Sequence, residues 1–258
     1  MSLRRTSIAA ALAVLALYGG LILSLTWFLD GDTLSSTLTS ERTLFSVRLS
    51  LLAATVATVI ALVIAVPAAY ALSRYSFRGK EAVETLLEFP IIVSPAALGA
   101  ILLIFFNNPL GEWVQQSVVR FVFTFAGIVL AQLVTILGVA VRMLKAAFDE
   151  VPAELETVAR TLGASPRHVF FTVTLPLARR GMVAALILAW AKAMGEFGAT
   201  LMVAGTMAMR TETLPVAIFL RLSTADIEGT VALILVLVTI GLGSLFVARR
   251  LLRSPAHA

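Results

Sequence analysis

The chain has 258 residues, of which 59% are hydrophobic and only 14% charged, with a mean hydropathy of +0.97. A soluble domain is nearer half apolar and a quarter charged, so most of this chain belongs in a bilayer. The absence of cysteine excludes disulfides, thiolate metal sites and cysteine nucleophiles, and His168 and His257 lie too far apart to suggest a metal pair.

In chain order, Arg4 and Arg5 precede an apolar run from Ile8 to Leu29. It is long for a signal-peptide core and lacks a cleavage site, so it reads as a first transmembrane helix. A polar connector, Asp30 to Arg42, leads to a second span from Leu49 to Leu72, in which Pro67 predicts a kink. Ser73 to Glu84 is a basic turn. The third span, Leu86 to Phe106, is interrupted by Pro90 and Pro95, which predicts a broken helix whose freed carbonyls need protein neighbours or a water-filled cavity. A connector from Asn107 to Arg120 precedes a fourth span, Phe121 to Leu144. The fifth runs from Gly181 to Ala204 and the sixth from Thr230 to Ala248. Each reaches the ~20 residues that a bilayer core requires. The expected fold class is therefore an all-α integral membrane protein with six transmembrane helices.

Six spans place both termini on one side. Fourteen of the 20 Lys and Arg residues fall on that side, among them Arg74, Arg78, Lys80, Arg160, Arg167, Arg249 and Arg253. The other side holds Arg42, Arg48, Arg120, Arg210 and Arg221, and Lys192 lies within a span. The asymmetry predicts a multi-pass protein of the plasma or inner membrane with cytoplasmic termini. It also accounts for the net charge of +5 and the pI near 10.2 without nucleic acid.

The longest polar stretch, Val151 to Pro176, lies on the cytoplasmic side between spans four and five. Pro152 suits a helix start, and Glu154 and Glu156 favour the positive end of its dipole. Leu155, Val158, Ala159 and Leu162 fall at i, i+3, i+4 and i+7, one apolar stripe on a helix of about three turns. Gly163 follows as a left-handed cap would, Ser165-Pro166 starts a second short helix, and Pro176 marks its end. The expectation is a helix-turn-helix loop with an apolar face free to dock.

This stretch resembles the cytoplasmic coupling loop of ABC-importer membrane subunits, whose consensus is Glu-Ala-Ala, three residues, Gly, nine residues, Ile, one residue, Leu-Pro. Ala159, Gly163, Val173, Leu175 and Pro176 stand at matching positions. The consensus glutamate and first alanine fall on Thr157 and Val158, with Glu156 one place early. The resemblance implies that Leu155, Glu156, Val158, Ala159, Leu162, Gly163 and Pro176 couple the chain to an ATPase.

The fifth span carries Lys192 and Glu196. Two charges inside a membrane helix are expensive, by ~2.5 kcal/mol or more each. Their i, i+4 spacing permits mutual pairing, either beside a translocation path or subunit seam, or as a buried pair that fixes packing. Gly195 and Gly198 permit close backbone approach. With only Lys192 cationic and Glu196 able to neutralise it, these spans suggest a weak, transient passage. Ser94, Thr200 and backbone near Pro90 and Pro95 are candidate lining groups.

Gly195-Glu-Phe-Gly-Ala-Thr200 resembles a segment of molybdate, tungstate and sulfate ABC-importer membrane subunits. Pro67 to Arg74, Phe89 to Pro95 and Thr211 to Pro215 extend the resemblance over roughly residues 45 to 250. It implies a homodimer, two cytoplasmic ABC ATPase subunits holding ATP and Mg, and an extracytoplasmic substrate-binding protein, with molybdate or tungstate favoured over sulfate. The chain itself has no Gly-x-x-x-x-Gly-Lys-Ser/Thr phosphate loop, so it is expected to be a transport subunit, not an enzyme, with no cofactor of its own. The expected division is a first helix and external connector (1–42), a transmembrane domain (43–250, loop 145–180) and a cytoplasmic tail (251–258). A secondary transporter or channel would also use broken helices and buried charges. It would not need a docking loop.

Overall fold

The computed structural model describes residues 3–28 and 31–252. The predicted end of the first span at Leu29, the connector's start at Asp30, and Arg253 and His257 of the tail lie outside the described residues. Every regular element among those described is helical. They are α1 (Leu3–Ser24, tightening to a 3-10 turn over Leu25–Phe28), α2 (Gly31–Thr39), α3 (Glu41–Arg74), α4 (Lys80–Ile92), α5 (Pro95–Phe106), α6 (Pro109–Ser117) and α7 (Phe125–Asp149). After them come α8 (Ala153–Thr161), α9 (Pro166–Val169, running into a π turn over Phe170–Thr174), α10 (Leu175–Met194), α11 (Gly198–Ala204), α12 (Leu214–Ser223) and α13 (Ile227–Leu252).

Five stretches are long and apolar enough to cross a bilayer singly: Leu3–Phe28, α3, α7, Pro166–Met194 and Ile227–Val247. The expected third span is α4 plus α5, bent by 110° at Val93 and Ser94. The break falls there because Ser94 caps α5, its Oγ accepting from Ala97 N at 3.3 Å, with Pro95 in the first turn. Pro90 lies inside α4, and α3 runs through Pro67 without a break.

Alanine stripes hold the bundle together. On α3, Leu49, Ala53, Ala57, Ala61, Ala65 and Ala69 recur at every fourth residue, all buried, and this face packs on α7 and α10. On α10, Ala185, Ala189 and Ala193 repeat the pattern. Lipid tails are as apolar as leucine, so helices associate in a membrane through close backbone approach, which small side chains allow. Larger residues fill the remaining space from α7, where Ile128, Ile136, Leu144 and Phe148 are fully buried. Helix α1 has no buried residue and is uncovered around its circumference.

Several expectations are corrected. The connectors contain helices: α2 within Asp30 to Arg42, α6 within Asn107 to Arg120 and α12 before Gly229. These are short, so a search for ~20-residue apolar runs passes over them. The fourth span starts at Phe125, where Thr124 Oγ1 accepts from Gly127 N at 3.3 Å, and ends at Asp149. The fifth span is not one helix from Gly181 to Ala204. It begins at Leu175, stops at Met194, and resumes as α11 at Gly198.

Candidate functional site

The Val151–Pro176 stretch folds as expected up to its last element. Helix α8 ends at Thr161 with Leu162 as its C-cap, and Gly163 has φ +90°. Gly163 N donates to Arg160 O at 2.9 Å and Ala164 N to Ala159 O at 3.1 Å, the paired bonds of a Schellman turn. Ser165 Oγ accepts from His168 N at 3.3 Å and starts α9. Pro176 does not end that helix; it lies in the first turn of α10. The π turn before it, closed by Leu175 N donating to Phe170 O, is wide enough to accept a proline ring and its missing N–H.

The apolar stripe of α8 points outward. Leu155, Val158 and Leu162 are 44%, 56% and 83% exposed, and Ala159 is half-buried beside them. An exposed apolar stripe on a short polar helix marks a contact surface.

Glu156, expected among the coupling residues, lies on the opposite face of α8 from the stripe. It is 3% exposed. Arg74 Nε, at the end of α3, donates to Glu156 Oε1 at 2.7 Å, and Thr174 Oγ1 donates to the same oxygen at 2.8 Å. Tyr70 OH donates to Oε2 at 3.1 Å, and Arg160 Nη2 lies 3.7 Å from it. Arg74 Nη2 also donates to the carbonyls of Phe148 and Val151, at 2.9 and 2.7 Å. The Tyr70 ring packs edge-on against Phe148 and Phe170. Burial alone would push the Glu156 carboxyl up, but the Arg74, Thr174 and Tyr70 hydrogen bonds and the guanidinium charge outweigh it and hold it below its ordinary value. Four segments, the end of α3, the end of α7, α8 and the π turn, thus meet on the Arg74–Glu156 pair. Sequence reasoning missed Arg74, Tyr70 and Thr174 as its partners. The one signal was Arg74 itself, a charge closing a span at the cytoplasmic end.

The second set of predicted residues lies at two helix breaks that meet. Helix α5 packs on α11, and a Cβ placed on Gly198 would stand 2.9 Å from Ala96 N and 3.2 Å from Pro95 Cβ. One on Gly99 would stand 2.7 Å from Met202 Cβ. Ser94 is exposed at the start of α5, and Gly195 is exposed at the end of α10. Thr200 is buried and its Oγ1 has no hydrogen-bond partner.

Lys192 and Glu196 are not paired. Because α10 stops at Met194, the helical register that would bring residues i and i+4 together is not continued. Glu196 is buried and its Oε1 accepts from Ala199 N at 3.0 Å, so it caps α11, while Lys192 is exposed. At the far end of the bundle, a cavity of about 400 Å³ is lined by Arg42, Glu212, Arg221 and Asp226. There each arginine is paired, Arg42 Nε with Glu212 at 2.9 Å and Arg221 Nη1 with Asp226 at 2.7 Å. Among the described residues no group of His, Asp and Glu is arranged to hold a metal ion.

Comparisons of sequence and of fold lead to one family. A family model described as binding-protein-dependent transport system inner membrane component matches residues 57–256. A probable molybdenum ABC transporter permease protein of Haloferax volcanii is 36% identical over 224 residues, covering 86% of this chain and 81% of its own. The molybdenum transport system permease protein ModB of Azotobacter vinelandii is 38% identical over 70% of this chain and 81% of its own. The sulfate transport system permease protein CysT of Escherichia coli is 31% identical over 81% of this chain and 76% of its own. A bacterial ABC transporter that imports alginate superposes with a TM-score of 0.72 at 15% identity, covering 97% of this chain and 98% of that one, which shows a shared fold. With the family model covering most of its length and these relatives above 30% identity, the chain belongs to the binding-protein-dependent inner membrane components, the permease subunits of ABC importers.

Proposed function

We propose that this chain is the membrane subunit of an ATP-driven importer that carries an oxyanion, molybdate or tungstate before sulfate, from an external binding protein to the cytoplasm. The class of substrate is supported by relatives named as molybdenum and sulfate permeases. The observation that carries the coupling is the pairing of opposite faces on α8: an exposed apolar stripe outward, a buried carboxylate clamped to Arg74 inward. A helix held so firmly on one side transmits a push delivered on the other. The partner is a pair of cytoplasmic ABC ATPases, which bind ATP and Mg. Leu155, Val158, Ala159 and Leu162 form the contact, Gly163 sets the turn, Pro176 starts the helix that follows, and Glu156 positions the whole from behind. Closure of the ATPases shifts a two-state equilibrium between inward- and outward-open bundles.

In this reading both termini are cytoplasmic, as the distribution of Lys and Arg requires. The fully uncovered α1 and the free face of α10 support a homodimer in which they find cover. Residues 43–250 form the transmembrane domain with the loop at 145–180, preceded by the helix and connector of 1–42 and followed by a tail at 251–258. Ser94, Lys192, Gly195, Glu196, Gly198 and Thr200 lie along the path or its seam. A secondary transporter or channel leaves the docking stripe without a purpose. The test is uptake by proteoliposomes holding the chain, its ATPase and its binding protein. ATP-dependent accumulation of molybdate or tungstate is expected, and uptake that proceeds without nucleotide would overturn the importer reading.

A further inference from the structure

We infer that Lys192 is the positive charge that meets the oxyanion in mid-passage, with the Ser94 hydroxyl at the neighbouring helix break, and that Glu196 takes no part in holding the anion. This rests on the proposed oxyanion import. It reverses the expectation that Glu196 neutralises Lys192.

Three observations carry it. Glu196 is turned inward, buried and engaged by Ala199 N at the first turn of α11. Lys192 is exposed and makes no hydrogen bond or ion pair among the described residues. Its face of α10 is the one the other described residues leave open. Leu188, Lys192 and Gly195, at i, i+4 and i+7, are all exposed, whereas Ala185, Ala189 and Ala193 are buried.

Depth then decides what that open face meets. Lys192 is twelve residues beyond Arg180, the last of the basic pair near the cytoplasmic start of α10. At a rise of 1.5 Å per residue this is about 18 Å into a hydrocarbon core about 30 Å thick. A four-carbon stem does not bring an ammonium from there to the cytoplasmic headgroups. An unpaired cation at that depth faces water or an anion, not lipid tails.

The two helix breaks supply the rest of the site. Gly198 lies against Pro95 and Ala96, so the start of α11 meets the start of α5, and Lys192 lies three residues before the Gly195–Phe197 joint that leads into that contact. Ser94 Oγ accepts from Ala97 N, which leaves its proton free to donate outward from an exposed position. A single ammonium and neutral donors hold a dianion briefly, which suits passage and not storage. A homodimer supplies one Lys192 from each copy, two positive charges for a tetrahedral dianion. A point charge without a shaped cavity does not distinguish molybdate from tungstate or sulfate, so selection stays with the binding protein.

The test uses the complete complex in proteoliposomes, with ATP inside or outside as orientation requires and binding protein loaded with molybdate, tungstate or sulfate. Lys192→Met is expected to slow uptake of every carried anion by a similar factor, roughly tenfold or more, with the copies and the ATPase still co-purifying. Lys192→Arg should recover most of it. The chain has no native cysteine, so Lys192→Cys gives a single reactive thiol. An aminoethyl thiosulfonate reagent, which restores a positive charge, should rescue uptake, and a sulfonatoethyl reagent should not. The inference is overturned by wild-type uptake from Lys192→Met, by a thiol at 192 inert to both aqueous reagents, or by Lys192→Met separating the two copies, which would assign the lysine to the seam. If the unaltered complex carries none of the three anions, the oxyanion reading itself falls.

Discussion

Glu156→Gln removes one negative charge from a site where four segments converge, and its effect can be scaled from the geometry. The wild-type carboxylate accepts from Arg74, Thr174 and Tyr70 at 2.7, 2.8 and 3.1 Å. The amide keeps the shape but presents one acceptor oxygen, and its NH2 faces donors. Arg74 is left as a buried cation, its side chain only 10% exposed. Breaking a buried pair by removing one partner costs about 3–5 kcal/mol. Arg74 retains Ser73 Oγ and the Phe148 and Val151 carbonyls, so the low end applies. About 3 kcal/mol shifts the docked loop toward its released form by roughly a hundredfold.

Amide exchange reads that equilibrium directly. Protection of the α8 amides should fall by about two orders of magnitude in Glu156→Gln, with α3 and α7 unchanged above their last turns. ATP hydrolysis should persist but respond weakly to loaded binding protein. Charge also fixes a pH signature. The Glu156 carboxyl is held below its ordinary value, so its contribution is complete above the unfolded-state pKa and is lost only as pH falls through the lower folded one. Protection of α8, corrected for intrinsic exchange, should therefore be flat from neutral pH down to the ordinary carboxylate range. Wild-type protection in Glu156→Gln, or a loss of protection near pH 6 in the unaltered chain, would refute the clamp.

Further outcomes follow from the same structure. Leu162→Asp places a charge on the most exposed residue of the α8 stripe, and a leucine buried at an interface contributes roughly 1.5–3 kcal/mol, so ATPase retention in pull-downs should drop by more than tenfold while the spans stay folded. Gly99→Val drives side-chain atoms into Met202 and Ala199; overpacking costs about 1–3 kcal/mol, so thermal unfolding in detergent should occur at lower temperature than for Gly241→Val, where the added Cβ has open space around it. Ser36→Cys and Ser165→Cys, both at exposed positions in a chain without native cysteine, should label from opposite sides of the membrane, and labelling from one side would remove the six-span topology.

What was legible in the sequence were the features that repeat or punctuate. Apolar runs marked the spans, Gly163 the left-handed turn, Ser165-Pro166 the start of α9 and Pro95 the bend between α4 and α5, because each is a local preference of the backbone. The alanine repeat of α3 is equally local, but sequence reasoning missed it as a packing face. What was not legible depends on where a helix stops. Lys192 and Glu196 have the spacing of a pair, and nothing in composition announces that α10 ends between them at Met194. Pro176 reads as a terminator until a π turn makes room for it. Glu156 shares a short helix with the docking stripe, and only the third dimension shows Arg74, 82 residues earlier, claiming it from behind.

The same helix ends determine where motion gathers. Helix α8 is tied to α3 through Glu156 and Arg74, and α3 is gripped along its length by α7 through the alanine stripe. From the other end of the loop, α10 grows directly out of α9 and the π turn. Helix α11 packs on α7 and on α5. Gly198 and Gly99 lock it to α5 so closely that a methyl group would not fit, and α5 is itself separated from α4 by the 110° bend. The non-helical backbone at Gly195–Phe197 is the direct covalent joint between α10 and α11, and a residue without a Cβ begins it. Lys192 stands one turn below that joint and Ser94 at the adjoining break. The groups proposed to meet the anion thus stand at or next to interruptions of the helical backbone, where a change of angle between α10 and α11 breaks no helical hydrogen bond. A site that is to accept an anion on one side and release it on the other needs such a joint.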